Sequence, residues 1–453
     1  MMAREKKKGS ALTPEEKLAQ ALVPEEEQPY KVPKNWCWTY LFKGAAECMD
    51  SFRKPVNATE RAEREGDIPY YGATGQVGWI DDFLTDEELV LLGEDGAPFL
   101  DPIKDKAYLI SGKAWVNNHA HILRSYYGGV GNQYLLNYLN TFNYKGYVNG
   151  TTRLKLTQAS MDIMPVPLAP LAEQQRIVDR IEYLFAKLDE AKEKAQSVLD
   201  SFEIRKAAIL HKAFTGELTA KWRAEQGLEM NSWKNIPVNQ LCKPRAGYAF
   251  DSKKFTDSGY QVIRMGNLYG GVLDLLRNPV FISHDDLDEA TLKRSLINDG
   301  DILITLTGTK YKRDYGYAVV VKNAGNLLVN QRILCLTPYS SVVTNYILYY
   351  FQSDLFRNIF FSNETGGVNQ GNVSSRFVES IELAVPSYSE QIELVRSLDS
   401  LFAKEQQAKE TAEAVLEKID LLKKSILARA FRGELGTNDP TEESALELLK
   451  KVL

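Results

Sequence analysis

Apolar residues recur along two stretches of this chain in strict 4,3 alternation. From Ile177 the series runs through Ile181, Leu184, Leu188, Ala191, Ala195, Val198, Phe202 and Ile209, broken only by Arg205. From Leu394 it runs through Leu398, Leu401, Ala408, Ala412, Val415, Ile419, Leu422 and Ile426, broken only by Glu405. A heptad held this long calls for a partner helix along its seam. The two stretches are one segment written twice. Residues 173–218 and 390–435 align without a gap, 217 positions apart, with 21 of 46 pairs identical. That period is far longer than the roughly 20–50 residues of a solenoid repeat. It predicts two halves, each a globular piece followed by a long helix.

The helix ends are marked in the sequence. Ser387-Tyr-Ser-Glu390 has the form of a capping box, and Pro170 stands where a first-turn proline would. Gly216 and Gly433 are placed as C-terminal caps. Each helix is expected to be about 40 residues, or roughly 60 Å. The segment between them is long enough for a compact domain with neighbouring termini, so the helices are expected to run antiparallel. An in-register pair would set Ala191 and Ala195, flanking Glu193, against Ala408 and Ala412, flanking Glu410. Small residues facing small residues let two axes approach closely.

The remaining pattern is strand and turn, with helical stretches such as 341–360. Predicted strand regions include GQVGWI (75–80), KAYLI (106–110), KAWVNNHAHIL (113–123), DILITL (301–306), YGYAVVV (315–321) and RILCL (332–336). The expected organisation is a tail and short helix over 1–27, a globular domain over 28–165, and a long helix with linker over 166–229. A second globular domain follows over 230–385, a second long helix over 386–436 and a C-terminal helix over 437–453. Thr13 would cap the first short helix, running to about Val23, and Asp439-Pro-Thr-Glu442 would open the last, running to Leu453. Residues 1–10 read as disordered. The fold class is α+β: two mixed α/β domains separated by two long antiparallel coiled-coil helices, related by a pseudo-twofold.

Composition adds limits. At 453 residues, 44% apolar and 25% charged, the chain has an ordinary soluble make-up. It shows no apolar h-region and no run long enough to span a membrane. Its four cysteines are scattered without a C-x-x-C, which argues for a reducing compartment, the cytoplasm. A net charge of −5 does not mark a nucleic-acid binder, and residues 231–385 hold 16 Lys and Arg against 14 Asp and Glu. DNA binding would have to come from local basic loops or a partner's surface. No P-loop, G-x-G-x-x-G or N/D-P-P-Y/F motif is present, so the chain reads as a binding protein rather than an enzyme. His119 and His121 could ligate a metal from one strand face, but no carboxylate or Cys cluster stands beside them in sequence. The favoured reading is an alternating strand with Trp115, Asn117, His119 and His121 on one face. No catalytic residue and no metal site is assigned.

Three polar loops are binding candidates. Thr305–Arg313 carries Thr307, Thr309, Lys310, Tyr311, Lys312 and Arg313. Lys and Arg neutralise phosphate, Arg also forks onto guanine, and Thr contacts bases or phosphates. The stretch Tyr70-Tyr71-Gly72-Ala-Thr74-Gly75 offers two aromatics at a turn. The third loop, 366–372, contains Asn369 and Gln370, which can read adenine edges.

The whole architecture resembles the specificity (S) subunit of type I restriction-modification enzymes. The resemblance is carried by PLAPLAEQQRIV (167–178), the two LFAK blocks and the two AF-x-GEL endings. IPYYGATG (68–75), WVNNHAHIL (115–123) and INDGDIL (297–303) look like parts of target recognition domains. Lys113, Trp115 and Asn117, with Arg264 from the second domain, complete the DNA-binding candidates. The resemblance implies a non-catalytic subunit whose two domains each read half of a split double-stranded DNA target, held apart by the paired helices. It implies two methyltransferase (M) subunits and restriction/translocase (R) subunits as partners. S-adenosylmethionine, ATP and Mg would reside on those partners, with no cofactor in this chain. The alternative is a coiled-coil scaffold whose globular ends bind protein.

Overall fold

The computed structural model describes residues 12–453; the expectation of disorder over 1–10 lies outside the described residues. The fold is α+β and divides into two compact units. The first takes the residues up to Gln196 together with Glu413–Leu453, and the second is Ser197–Ala412.

In the first unit a four-stranded antiparallel sheet has the order Ala46–Cys48, Ala120–Ser125, Leu89–Gly93, Ala107–Ile110. In the second unit the order is Cys242–Ala246, Ile333–Pro338, Ile302–Thr305, Ala318–Val320, again antiparallel throughout. The strands LVLLG (89–93) and ILIT (302–305) are buried at every position. They read as unbroken apolar runs because both sheet faces are covered. Successive side chains serve different layers. Val90 and Leu92 pack with Leu135 and Leu139 of the helix Gly128–Thr141, while Leu89 and Leu91 pack with Ala114 and Val116 of a second sheet. Ile302 and Ile304 pack with Tyr346 and Phe351 of the helix Thr344–Gln352, while Leu303 packs with Ile263 and Val329.

The second sheet of each unit contains a parallel pair, Ile68–Gly72 beside Lys113–Val116 and Tyr260–Ile263 beside Leu327–Val329. Its outer strands differ. Thr85–Asp86 extends the first sheet beyond Lys113–Val116, whereas Phe255–Thr256 extends the other at the opposite end, beyond Phe281–Ile282. Each unit is closed by a two-stranded clasp, Cys37–Tyr40 with Pro165–Leu168 and Lys234–Pro237 with Glu382–Val385.

Several sequence expectations need correction. The stretch 113–123 is not one strand: Lys113–Val116 and Ala120–Ser125 belong to different sheets, joined by a turn at 117–119. The helical stretch 341–360 is two helices, Thr344–Gln352 and Asp354–Ser362. Between them Ser353 uses its hydroxyl to cap Phe356 N–H instead of continuing the helix. The last helix is only Ala445–Lys450, capped by Ser444. Ser387 does accept from Glu390 N–H, but the Glu390 carboxylate does not return to Ser387. It is fully buried and bonded to Thr219, Arg223 and Trp233.

The second long helix is Tyr388–Ala430. The first comprises Leu171–Asp200 and Phe202–Phe214, separated at Ser201. There the Ser201 hydroxyl bonds back to Ser197 O, and Arg205 donates to the Val198 carbonyl at 3.2 Å. Gly216 and Gly433 hold positive φ of 82° and 71°, a conformation cheap only for glycine.

The first unit's helix contacts are Ile177, Val178 and Ile181 clustered with Ile426, Leu427 and Ala430, and Asp189 paired to Lys423 at 2.6 Å. In the second unit Leu210 and Ala213 cluster with Leu394 and Leu398, and Arg205 pairs with Glu405 at 2.7 Å. The two polar interruptions of the heptads are therefore partners. The in-register arrangement would have set Leu398 opposite Arg205; the observed pairing lies one heptad away. Of the other seam positions, Ala195 and Ala412 are buried, and Leu184, Ala191, Val198, Leu401 and Val415 are half-buried. Ala408 is exposed, which corrects its reading as a core residue.

Candidate nucleic-acid interface

In each unit several connecting segments between the two sheets meet one another. In the second unit Thr307–Gly308 pairs with Gly371–Asn372, so two loops distant in sequence become one surface. Lys310 reaches across to Gly366 O at 3.2 Å. Met265 joins them through a contact from Thr307 Oγ1 to its sulfur at 3.3 Å. A cavity of about 350 Å³ opens among Met265, Tyr269, Thr307, Thr309, Arg332 and Gln370. Tyr311, 80% exposed, together with Lys312 and Arg313 lines the outer loop. Tyr311 and Arg313 hold φ of 67° and 52°, left-handed values that cost non-glycine residues on the order of 1 kcal/mol or more each. The loop is held there by Thr309 N–H on Asp314 and by Arg313 on Asn358 at 3.1 Å. Asn369 and Gln370 are exposed beside it. Arg264 is half-buried, its guanidinium on Asn278 O at 2.7 Å. Thr307 is largely buried, with its hydroxyl turned to the Met265 sulfur.

The first unit brings the corresponding segments together. The bridge between Asp95 and Lys155 takes the place of Thr307 paired with Asn372. Here the chemistry is a charge network. His119 Nδ1 lies 2.8 Å from Asp95, which also accepts from Arg153 at 2.7 Å. Glu94 is paired to Lys155 at 2.9 Å and to Arg53. Below them His121 is buried, with Nδ1 2.6 Å from Asp50 and Nε2 3.0 Å from Leu156 O. Burial alone would raise the Asp50 carboxyl. The hydrogen bond and charge of His121, with Gln158 and the Ile122 N–H, outweigh it and hold the group down at about 2. The donor atoms of Asp50, Glu94 and His121 lie within 4.8 Å of one another. Both ring nitrogens of His121 already face acceptors and Arg53 sits on both carboxylates, so the arrangement is an ion-pair network rather than a ligand set. The carboxylates that sequence reading did not find beside His121 come from positions 50 and 94.

Four first-unit candidates are placed away from solvent. Tyr70 is 1% exposed, with its hydroxyl on Val56, and Trp115 is 3% exposed, donating to Lys54 O at 2.7 Å. Large apolar rings gain more by burial than by a turn position. Gly72 and Asn117 are also buried. Tyr71 is half-buried against Tyr108, and Thr74 and Lys113 are exposed. Sequence reasoning missed the cations that cover the buried rings. Arg61 stacks over Tyr70 at 4.7 Å and Arg64 over Trp115 at 4.6 Å.

The sequence matches the family described as "Type I restriction modification DNA specificity domain" over residues 47–199 and 230–418, well over half the chain. It is 26% identical over 304 residues to the type I restriction enzyme EcoKI specificity subunit of Escherichia coli (strain K12), covering 65% of this chain and 64% of that protein. It is 25% identical over 361 residues to the putative type I restriction enzyme specificity subunit S.HindORF215P of Haemophilus influenzae, covering 78% and 84%. Among solved structures, the HsdS subunit from Thermoanaerobacter tengcongensis shares the fold with TM-score 0.62 and 17% identity, over 90% of this chain and all of that one.

Proposed function

Because the chain belongs to the type I restriction-modification DNA specificity family, we propose that it is the non-catalytic subunit that reads a two-part DNA target. Each globular unit reads one half, and the long helices act as an antiparallel coiled-coil spacer. It directs two methyltransferase subunits and the restriction/translocase subunits, which bring S-adenosylmethionine, ATP and Mg. We place it in the cytoplasm; no helix of the described residues is long and apolar enough to cross a membrane.

The observation that carries this reading is duplication at two places in each unit. The connecting loops meet in both units. At the second place the start of each long helix holds the end of the other. Glu173 accepts from Trp36 at 2.8 Å and Asn438 at 2.6 Å, and Glu390 accepts from Trp233 at 3.1 Å and Thr219 at 2.7 Å. An antiparallel pair meets in this way. A spacer of roughly 60 Å has the length to hold two readers about one DNA turn apart, on the order of 34–36 Å.

Sequencing the methylated sites of a host that carries this chain with its partner subunits tests the reading. A bipartite motif with a fixed gap is expected. An uninterrupted motif, or methylation independent of this chain, would contradict it and favour a protein-binding scaffold. Inserting four residues after Glu193 should change the gap or abolish assembly.

A further inference from the structure

We infer that the turns 117–119 and 330–332 are equivalent base-reading positions of the two units, and that Arg332 selects a guanine. The inference rests on the DNA-reading function proposed above and names Arg332 and His119, to which that reading assigns no role.

Both turns carry the chain from the parallel pair of one sheet into the centre of the other, and both use three residues. The backbone is tied in the same way in each. Asn117 N–H donates to Tyr71 O at 3.0 Å, and Asn330 N–H to Ile263 O at 3.1 Å. Each Asn side chain then accepts from the N–H two residues on, His119 at 2.8 Å and Arg332 at 3.4 Å. The carbonyl of that third residue accepts from Glu94 N–H at 2.8 Å in one unit and Leu306 N–H at 3.0 Å in the other. Gly247 backs the second turn so closely that a Cβ there would lie 1.9 Å from Asn330 O. The backbone is thus fixed on both sides, and the side chain of the third residue is what differs: His119 or Arg332.

Arg332 is exposed and lines the cavity with Thr309, Gln370, Met265 and Tyr269. Among the described residues its guanidinium has no ion-pair, hydrogen-bond or ring partner, whereas Arg245, Arg264, Arg313 and Arg357 are each anchored and Arg277, in the same cavity, is stacked over Tyr269 at 5.2 Å. A rigid fork of donors left open beside hydroxyl and amide groups suits the paired O6 and N7 acceptors of guanine. Lys310, Lys312 and Arg313 on the outer loop are the better placed phosphate contacts. His119, with Nδ1 held on Asp95, leaves Nε2 for a base. In the neutral ring that atom is an acceptor, suited to an exocyclic amino group.

Selection of bound duplexes from a random library by the full-length chain, followed by sequencing, tests this. Wild type should enrich a two-part motif. R332A should lose guanine preference at one position of one half by on the order of 10- to 100-fold, leaving the other half intact. R332Q should move that position toward adenine, and H119A should relax one position in the other half only. Thermal melting matching wild type checks that the variants fold. An unchanged R332A motif, or an equal loss for every sequence as a phosphate contact would give, overturns the inference while the DNA-reading function stands. A wild-type chain that enriches no sequence, alone or with its partner subunits, overturns both.

Discussion

At the same place in their topology, the two units carry opposite chemistry. The first has Asp95, His119, Arg153, Glu94, Lys155 and Arg53 locked in mutual pairs, above the buried Asp50 and His121. The second has a cavity lined by Thr305, Thr307, Thr309, Gln370, Met265, Tyr269 and Asp314, with Arg277 stacked on Tyr269 and, at its wall, an Arg332 guanidinium without a partner among the described residues. The backbone bonds that hold the segments together are nevertheless the same: Leu156 N–H to Glu94 O at 2.7 Å, and Val373 N–H to Leu306 O at 2.9 Å. Main-chain bonding fixes the frame, so the side chains on it are free to diverge. That is the arrangement a pair of readers for two different half-sites needs.

The closing ends show the reverse: shared chemistry with different support. Glu173 is held by neutral donors, Trp36, Asn438 and Thr437. Glu390 is held by Trp233, Thr219 and the buried Arg223, with side-chain exposures of 8% for Arg223 and 0% for Glu390. E390Q would leave Arg223 buried without its counter-charge, a loss of about 3–5 kcal/mol. E173Q should cost only about 1–2 kcal/mol of charge-assisted hydrogen bonding. Hydrogen exchange of amides within each unit measures the two separately. Equal losses would erase the distinction.

The next largest effect separates the two loop regions by pH. A carboxylate held low in the folded state stabilises above its unfolded pKa and loses that contribution as pH falls. For Asp50, near 3.8 when unfolded and about 2 when folded, the contribution is about 2 kcal/mol. It is present above pH 4 and lost progressively toward pH 2. Acid titration followed by exchange in the first unit should show this loss, and D50N should remove it. A D50N titration that superimposes on wild type would remove Asp50 from the network's energetics.

Replacing Lys310, Lys312 and Arg313 together by Ala should weaken duplex binding alike for all sequences. It should lower the salt slope by up to about 3, at roughly 0.9 for each phosphate no longer neutralised. Binding measured from low to high salt checks both. A sequence-dependent loss would move base reading onto this loop and away from Arg332.

How far the sequence disclosed all this follows from the range of each signal. The heptads, the duplication and the glycine caps are local patterns, and they located the long helices. The globular strands were recognisable as strands, but not their sheets. Nothing local at 117–119 announces that the chain changes sheets there, because that turn is held by Tyr71 and Glu94. Tyr70 looked available at a turn and Trp115 on one face of an alternating strand, yet strand positions facing a core bury both. The partners of His121 and Glu390 lie far away in sequence, where no spacing rule reaches. Arg332 went unnoticed because a single arginine opening a strand carries no pattern.

The smallest effect concerns the helices, where the second unit's polar pair has apolar repeat mates. Arg205 corresponds to Leu422, and Glu405 to Leu188, in the 217-residue repeat. Arg205 and Glu405 are partly exposed, at 33% and 21%, so their attraction is partly screened and amounts to about 1 kcal/mol. E405L alone should cost about that much, since it leaves Arg205 bonded to Ser201 and the Val198 carbonyl but without its counter-charge. R205L/E405L places leucine at both positions, as at the repeat positions 188 and 422, and should regain that stability, since the added apolar contact offsets the lost, partly screened attraction. The pair's value would then lie in register. Leucines at 205 and 405 accept a neighbour one heptad along as readily as the native one, whereas an arginine does not. A double-mutant cycle gives the coupling, and disulfide trapping of seam positions in the double variant reports the register. A double variant less stable than E405L, still in a single register, would show that the pair serves stability and not alignment.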